Sequence, residues 1–135
     1  MTITAYFRQL ERALKTYCSG ELRAYPTFEA ATRRSGSFSF EVEYWDNSVL
    51  SAHGFVRIYG DTAFLSDYSF HYHKAGETIF RYDDSPHYPR FSTFPHHKHV
   101  GKEEIAYASP PPTVEEVLKE VEQTQKRQAD QPQTP

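Results

Sequence analysis

Six of the seven histidines in this 135-residue chain fall between positions 71 and 99, at His71, His73, His87, His96, His97 and His99, beside Arg81, Asp83 and Lys98. An imidazole with an ordinary pKa of about 6.5 can take or give a proton near neutral pH. A guanidinium or ammonium supplies fixed positive charge for a phosphate. Together these are the groups that metal-free RNA cleavage by its own 2′-hydroxyl requires: a base, an acid and a cation for the charged transition state. The candidate catalytic residues are therefore His71, His73, Arg81, Asp83, His87, His97 and His99. In this scheme Asp83 orients a histidine, and Lys98, His96, Tyr72 and Tyr82 contact substrate. No cofactor and no metal are expected.

A second chemistry uses many of the same residues. His97 and His99 have the His-x-His spacing that places two rings on one side of an extended chain, His71 and His73 repeat it, and Asp83 or His87 could complete a metal's ligand set. The cations Arg81 and Lys98 oppose a divalent ion, which favours the metal-free scheme. Plainer readings also exist. His71 and His73 fit the solvent face of a sheet, Arg81 and Asp83 an ordinary i, i+2 surface ion pair, and Tyr72 and Tyr82 a core with bonded hydroxyls.

Positioning these side chains falls to a run of strands. In 36–45 Phe38, Phe40, Val42 and Tyr44 alternate with Ser37, Ser39, Glu41 and Glu43, which predicts one buried and one polar face. Strands 48–59, 62–74 and 77–83 follow, joined by short turns at Gly60-Asp61 and Ala75-Gly76. Neighbouring strands lie ~5 Å apart with same-face side chains together. Burying Phe70, Tyr72, Phe80 and Tyr82 thus sets Arg81 and Asp83 beside His71 and His73. Residues 84–99, with Pro86, Pro89 and Pro95, predict an ordered loop that folds back over the sheet.

Ile3, Tyr6, Phe7, Leu10, Leu14 and Tyr17 recur at helical spacing and predict a helix over 4–17. A weak strand is expected at 27–34 and a short one at 103–108. Thr113 with Glu116 makes a capping box for a helix over 113–124. The expected fold is α+β: an N-terminal helix, an antiparallel meander of about five or six strands and a C-terminal helix. One domain covers 1–124, and the polar segment 125–135 is expected to be disordered.

The composition narrows the function classes. A lone cysteine, Cys18, excludes an intramolecular disulfide and a four-thiolate zinc site. No apolar run approaches membrane-spanning length and no signal pattern opens the chain, so a cytoplasmic location is expected. A net charge of −3 argues against general nucleic-acid coating. The bases concentrate in 71–102 and the acids after 103, which is a local pointer to an anionic ligand.

Phe80-Arg81-Tyr82-Asp83-Asp84-Ser85-Pro86-His87, followed by Thr93-Phe94-Pro95-His96-His97-Lys98-His99, resembles the signature of the TumE family of toxin–antitoxin proteins. The resemblance extends over residues 5–122, and Asp84-Ser85 stands where Asn-Ala is more usual. It implies a toxin acting in the cytoplasm, paired with a small DNA-binding antitoxin, and an element order similar to RelE-like and barnase-like ribonucleases. With the histidine inventory, the expected function is a metal-independent endoribonuclease acting on RNA. The alternatives are a non-enzymatic module that sequesters nucleic acid or protein, and a metal-dependent hydrolase. A homodimer or the antitoxin would cover the open sheet face.

Overall fold

The alternation of apolar and polar side chains sets the architecture. In a computed structural model, which describes residues 1–130, the strands are β1 (Glu21–Leu22), β2 (Thr27–Thr32), β3 (Ser35–Glu43), β4 (Val49–Tyr59), β5 (Thr62–Lys74), β6 (Glu77–Asp83), β7 (His97–Val100) and β8 (Ile105–Ala108). Helices α1 (Ile3–Tyr17) and α2 (Val114–Ala129) flank them in sequence. All pairing is antiparallel. The sheet runs β1-β3-β4-β5-β6-β7-β8, and β2 pairs with the same β3 that holds β1. The α+β class is as expected, with eight strands in place of five or six.

One face is apolar and carries both helices. Phe38, Phe40, Val42, Leu50, Val56, Phe70, Tyr72 and Phe80 pack against Ile3, Phe7, Leu10 and Leu14 of α1 and Val117, Leu118 and Val121 of α2. Each fully buried aliphatic of this kind contributes about 1.5–3 kcal/mol relative to exposure. The helices start where the sequence supplies acceptors, with the hydroxyls of Thr2 and Thr113 accepting from the amides of Ala5 and Glu116. The opposite face is polar, and it carries His71, His73, His97 and His99.

Two irregularities in pairing adjust that face. Opposite Gly54, β5 holds two residues, Asp67 and Tyr68, and Asp67 adopts φ 46°. A side chain at 54 would collide with Leu65 and Phe38, so Gly54 allows the crowding there. The second lies between Tyr72–Phe80 and His73–Thr78, where Ile79 is the extra residue and packs against the core. Thr78 therefore joins Arg81 on the polar side.

Two boundaries differ from the sequence expectation. The 84–99 segment is not loop throughout, because residues 97–100 pair with β6 as β7. The C-terminal helix continues through Ala129, and Gln125 is buried with its amide donating to the Tyr72 hydroxyl. Gln, Lys and Arg are sound helix formers, so a polar composition did not end the helix there. The rest of the expected disordered tail, residues 131–135, lies outside the described residues.

Candidate functional site

Cross-strand register brings the polar residues together. Along one row Ser69 faces Asp83 and Asp83 faces His97; along the next His71 faces Arg81 and Arg81 faces His99. The centre is Asp83, buried at 6% exposure between His97 at 1% and His99 at 6%. His97 Nε2 lies 2.8 Å from Asp83 Oδ1, and His99 Nε2 lies 3.6 Å from Oδ2. On the other side of the carboxylate, Arg81 Nε donates to Oδ2 at 3.1 Å and the Ser85 amide to Oδ1 at 3.0 Å. Arg81 also pairs with Glu104 at 3.0 Å.

The imidazoles are oriented by backbone. His97 Nδ1 lies 3.0 Å from the Pro95 carbonyl and His99 Nδ1 lies 3.1 Å from the Glu104 carbonyl. A carbonyl only accepts, so each Nδ1 carries the hydrogen and each Nε2 is turned to Asp83. Glu104 has φ 53°, and this left-handed turn between β7 and β8 aims its carbonyl at His99 and its carboxylate at Arg81. Tyr88, from the loop after β6, packs edge-on against the rings of His97 and His99, at 4.9 and 5.9 Å between centroids.

Beside this floor opens a cleft of about 550 Å³ lined by His53, Ser69, Arg81, Asp83, His87 and His99, among others. His87 is exposed at its rim. The rim is anchored by Asp84, whose carboxylate accepts from the amides of Asp67 at 2.8 Å and Tyr68 at 3.1 Å. These are the two residues that oppose Gly54, so Asp84 supplies the acceptors their displaced amides need.

His71 and His73 share this face but lie further along it, with their rings 4.6 Å apart. The Thr78 hydroxyl donates to Glu104, so it accepts from His71 Nε2, 2.8 Å away. Burial lowers the pKa of His71, with His73 and Arg81 adding to the effect and Glu104 opposing it. His73 Nε2 lies 3.3 Å from the Ser51 hydroxyl.

Four residues expected to contact substrate are not brought to the cleft. Strand alternation turns Lys98 to the helix side, where its ammonium meets Glu120 of α2 at 2.6 Å and lies over the rings of Phe80 and Tyr82. Tyr82 donates to the same Glu120, and its hydroxyl pKa is raised by burial and by that carboxylate. Tyr72 is fully buried, with its hydroxyl 2.7 Å from Ser48. His96 stacks on Tyr68 with Nδ1 2.9 Å from its hydroxyl. The run 96–99 is thus two pairs on opposite faces.

Sequence reading missed Tyr88, Glu104 and Thr78 as parts of this site. Only Glu104 carried a signal, since it follows the Gly101 turn close to the histidines.

A two-helix, antiparallel-sheet protein with a His/Asp/Arg floor under an open cleft defines the class. The profile of the family described as Toxin TumE matches residues 10–125, and the chain belongs to that family. It is a toxin, and its counterpart is an antitoxin. No curated protein and no solved structure matches the chain. No helix among the described residues is long and apolar enough to cross a membrane.

Proposed function

We propose that this toxin is an endoribonuclease that acts in the cytoplasm at the cleft over Asp83. The observation that carries the reading is the convergence of Arg81, Asp83, His87 and His99 on one solvent-reachable cavity. In the reaction an RNA 2′-hydroxyl attacks the adjacent phosphorus, its proton passes to the floor, and the P–O5′ bond breaks. A 2′,3′-cyclic phosphate forms, and the departing 5′-oxygen receives a proton from His87. Arg81, about one-third exposed, faces the phosphate charge. His99 reaches the cleft and receives the hydroxyl proton; His97, fully buried with Nδ1 on the Pro95 carbonyl, takes no part in proton transfer, and Arg81 and Ser85 hold the carboxylate in place. His71 and His73 flank the route along the same face.

Purified full-length protein, freed of its antitoxin, should cleave RNA and leave cyclic-phosphate ends. His87→Ala and Arg81→Ala should each slow cleavage by about two to four orders of magnitude. Absence of cleavage, or cleavage undiminished in a His87→Ala, His99→Ala double variant, would refute the assignment.

A further inference from the structure

We propose that Asp83, His97 and His99 bind a divalent transition-metal ion. One ligand atom from each residue lies within 4.8 Å of the others, and all three residues are buried. With Nδ1 of both rings committed to carbonyls, Nε2 of each is left on the Asp83 side, free to ligate. Arg81 and Ser85 meet the carboxylate from its other side, and on the histidine side two imidazole nitrogens and an anion gather with no cation of the described residues among them, an arrangement that a positive ion stabilises. A proton on His97 answers this poorly. Asp83 Oδ1 is near enough for an ion pair but lies off the ring N–H direction, so the buried Nε2 of His97 has no hydrogen-bond partner. A metal ion on the lone pair does answer it.

The surroundings fit a ligand set. Tetrahedral ligands at 2.0–2.1 Å from an ion are ~3.3 Å apart; His97 Nε2 lies 2.8 Å from one carboxylate oxygen and His99 Nε2 lies 3.6 Å from the other, so each imidazole stands near that spacing from an Asp83 oxygen. Every ligand is oriented by a second group: Pro95 and Glu104 carbonyls for the imidazoles, Arg81 and Ser85 for the carboxylate. The objection from Arg81 is met by Glu104, 3.0 Å from its guanidinium. Asp83, Glu104 and Arg81 together carry one negative charge before an ion arrives. Two imidazoles and one carboxylate suit zinc, iron(II), cobalt(II), nickel or manganese, and the set disfavours calcium and magnesium, which take oxygen ligands. Asp83 and His99 also line the cleft, which leaves coordination positions open to solvent and substrate.

The site's existence does not depend on the ribonuclease reading. Its role does: with Nε2 of His99 on an ion, the floor receives the hydroxyl proton through water instead of that imidazole. The test is titration of EDTA-stripped full-length protein with Co(II), read by its visible absorption. One equivalent should bind, zinc should displace it, and His97→Ala and Asp83→Asn should each weaken binding by about 100-fold or more, exceeding the 10–100-fold typical of lost second-shell contacts. His71→Ala and His73→Ala should bind as wild type. Should His97→Ala fail to fold by circular dichroism, His99→Gln supplies the comparison. Lack of saturable 1:1 binding in the wild type, or binding that survives at His71 and His73 alone, overturns the proposal. RNA cleavage by protein that binds no Co(II) would remove the ion and keep the ribonuclease; Co(II) binding without cleavage would do the reverse.

Discussion

Asp84→Ala should cost about 1–3 kcal/mol of stability and loosen the rim that carries His87. The magnitude follows from two amides. Hydrogen bonds to a charged group contribute ~1.5–3 kcal/mol each, but the two here are not equivalent. Asp67 is exposed, so water replaces its lost acceptor and little energy goes with it. Tyr68 is buried at 2% exposure, and its amide would be left without a partner at a cost of ~1–3 kcal/mol. A chain of this size loses ~3–4 °C of melting temperature per kcal/mol, which gives a fall of ~3–12 °C. Asp84→Asn, with one carbonyl oxygen to offer, should lose about half as much. Urea unfolding should show a lower midpoint at unchanged slope. Asp61→Ala is the control, since the Asp61 side chain is almost wholly exposed and pairs only with the chain's amino terminus. A loss below ~0.5 kcal/mol in Asp84→Ala would mean that the β5 irregularity holds itself, and the account of Asp84 as its clamp would be wrong.

Two further outcomes follow. Glu120→Ala removes the acceptor of both Lys98 and Tyr82 and should cost about 1–2 kcal/mol by chemical unfolding, because the ammonium would be left half-buried over Phe80 and Tyr82; a change within ~0.3 kcal/mol would make that contact incidental. His71 has a folded pKa below its ordinary ~6.5, so the unfolded chain binds the proton more readily. Its contribution is fully present above pH ~6.5 and is lost as pH falls through the lowered value, so wild type should lose stability on acidification and His71→Gln should lose less; identical pH profiles would refute this.

The meander was legible because apolar and polar residues alternate along much of its strands, and β3 with Phe38, Phe40 and Val42 is the clearest case. The same alternation put Arg81 opposite His71, but Asp83 opposes Ser69 and His97, and His73 opposes Thr78, so Asp83 is not beside the first two histidines as expected. Strand β7 was not legible. It has four residues, three of them polar, and Pro95 stands just before it, so no apolar period marks it. Its polar side chains are nonetheless sheltered on both faces, by Tyr88 on one and Glu120 on the other. Those covers come from the loop that leads into β7 and from a distant helix, and no apolar period in the strand itself signals them. For the same reason Lys98 read as a phosphate contact when its partner is a carboxylate 22 residues away.

The short strand β7 has an implication for how substitutions in this chain will behave. Consecutive positions from 96 to 99 answer alternately to two different demands, seat of the last helix and floor of the cleft. A saturation scan read for both folding and toxicity should therefore trace a sawtooth there. Changes at 97 and 99 should spare growth by abolishing toxicity in a protein that is still made, and changes at 96 and 98 should do so by lowering its abundance. Neighbouring residues of one motif would then be rescued by different means: the even ones by cooling, the odd ones by nothing of the kind.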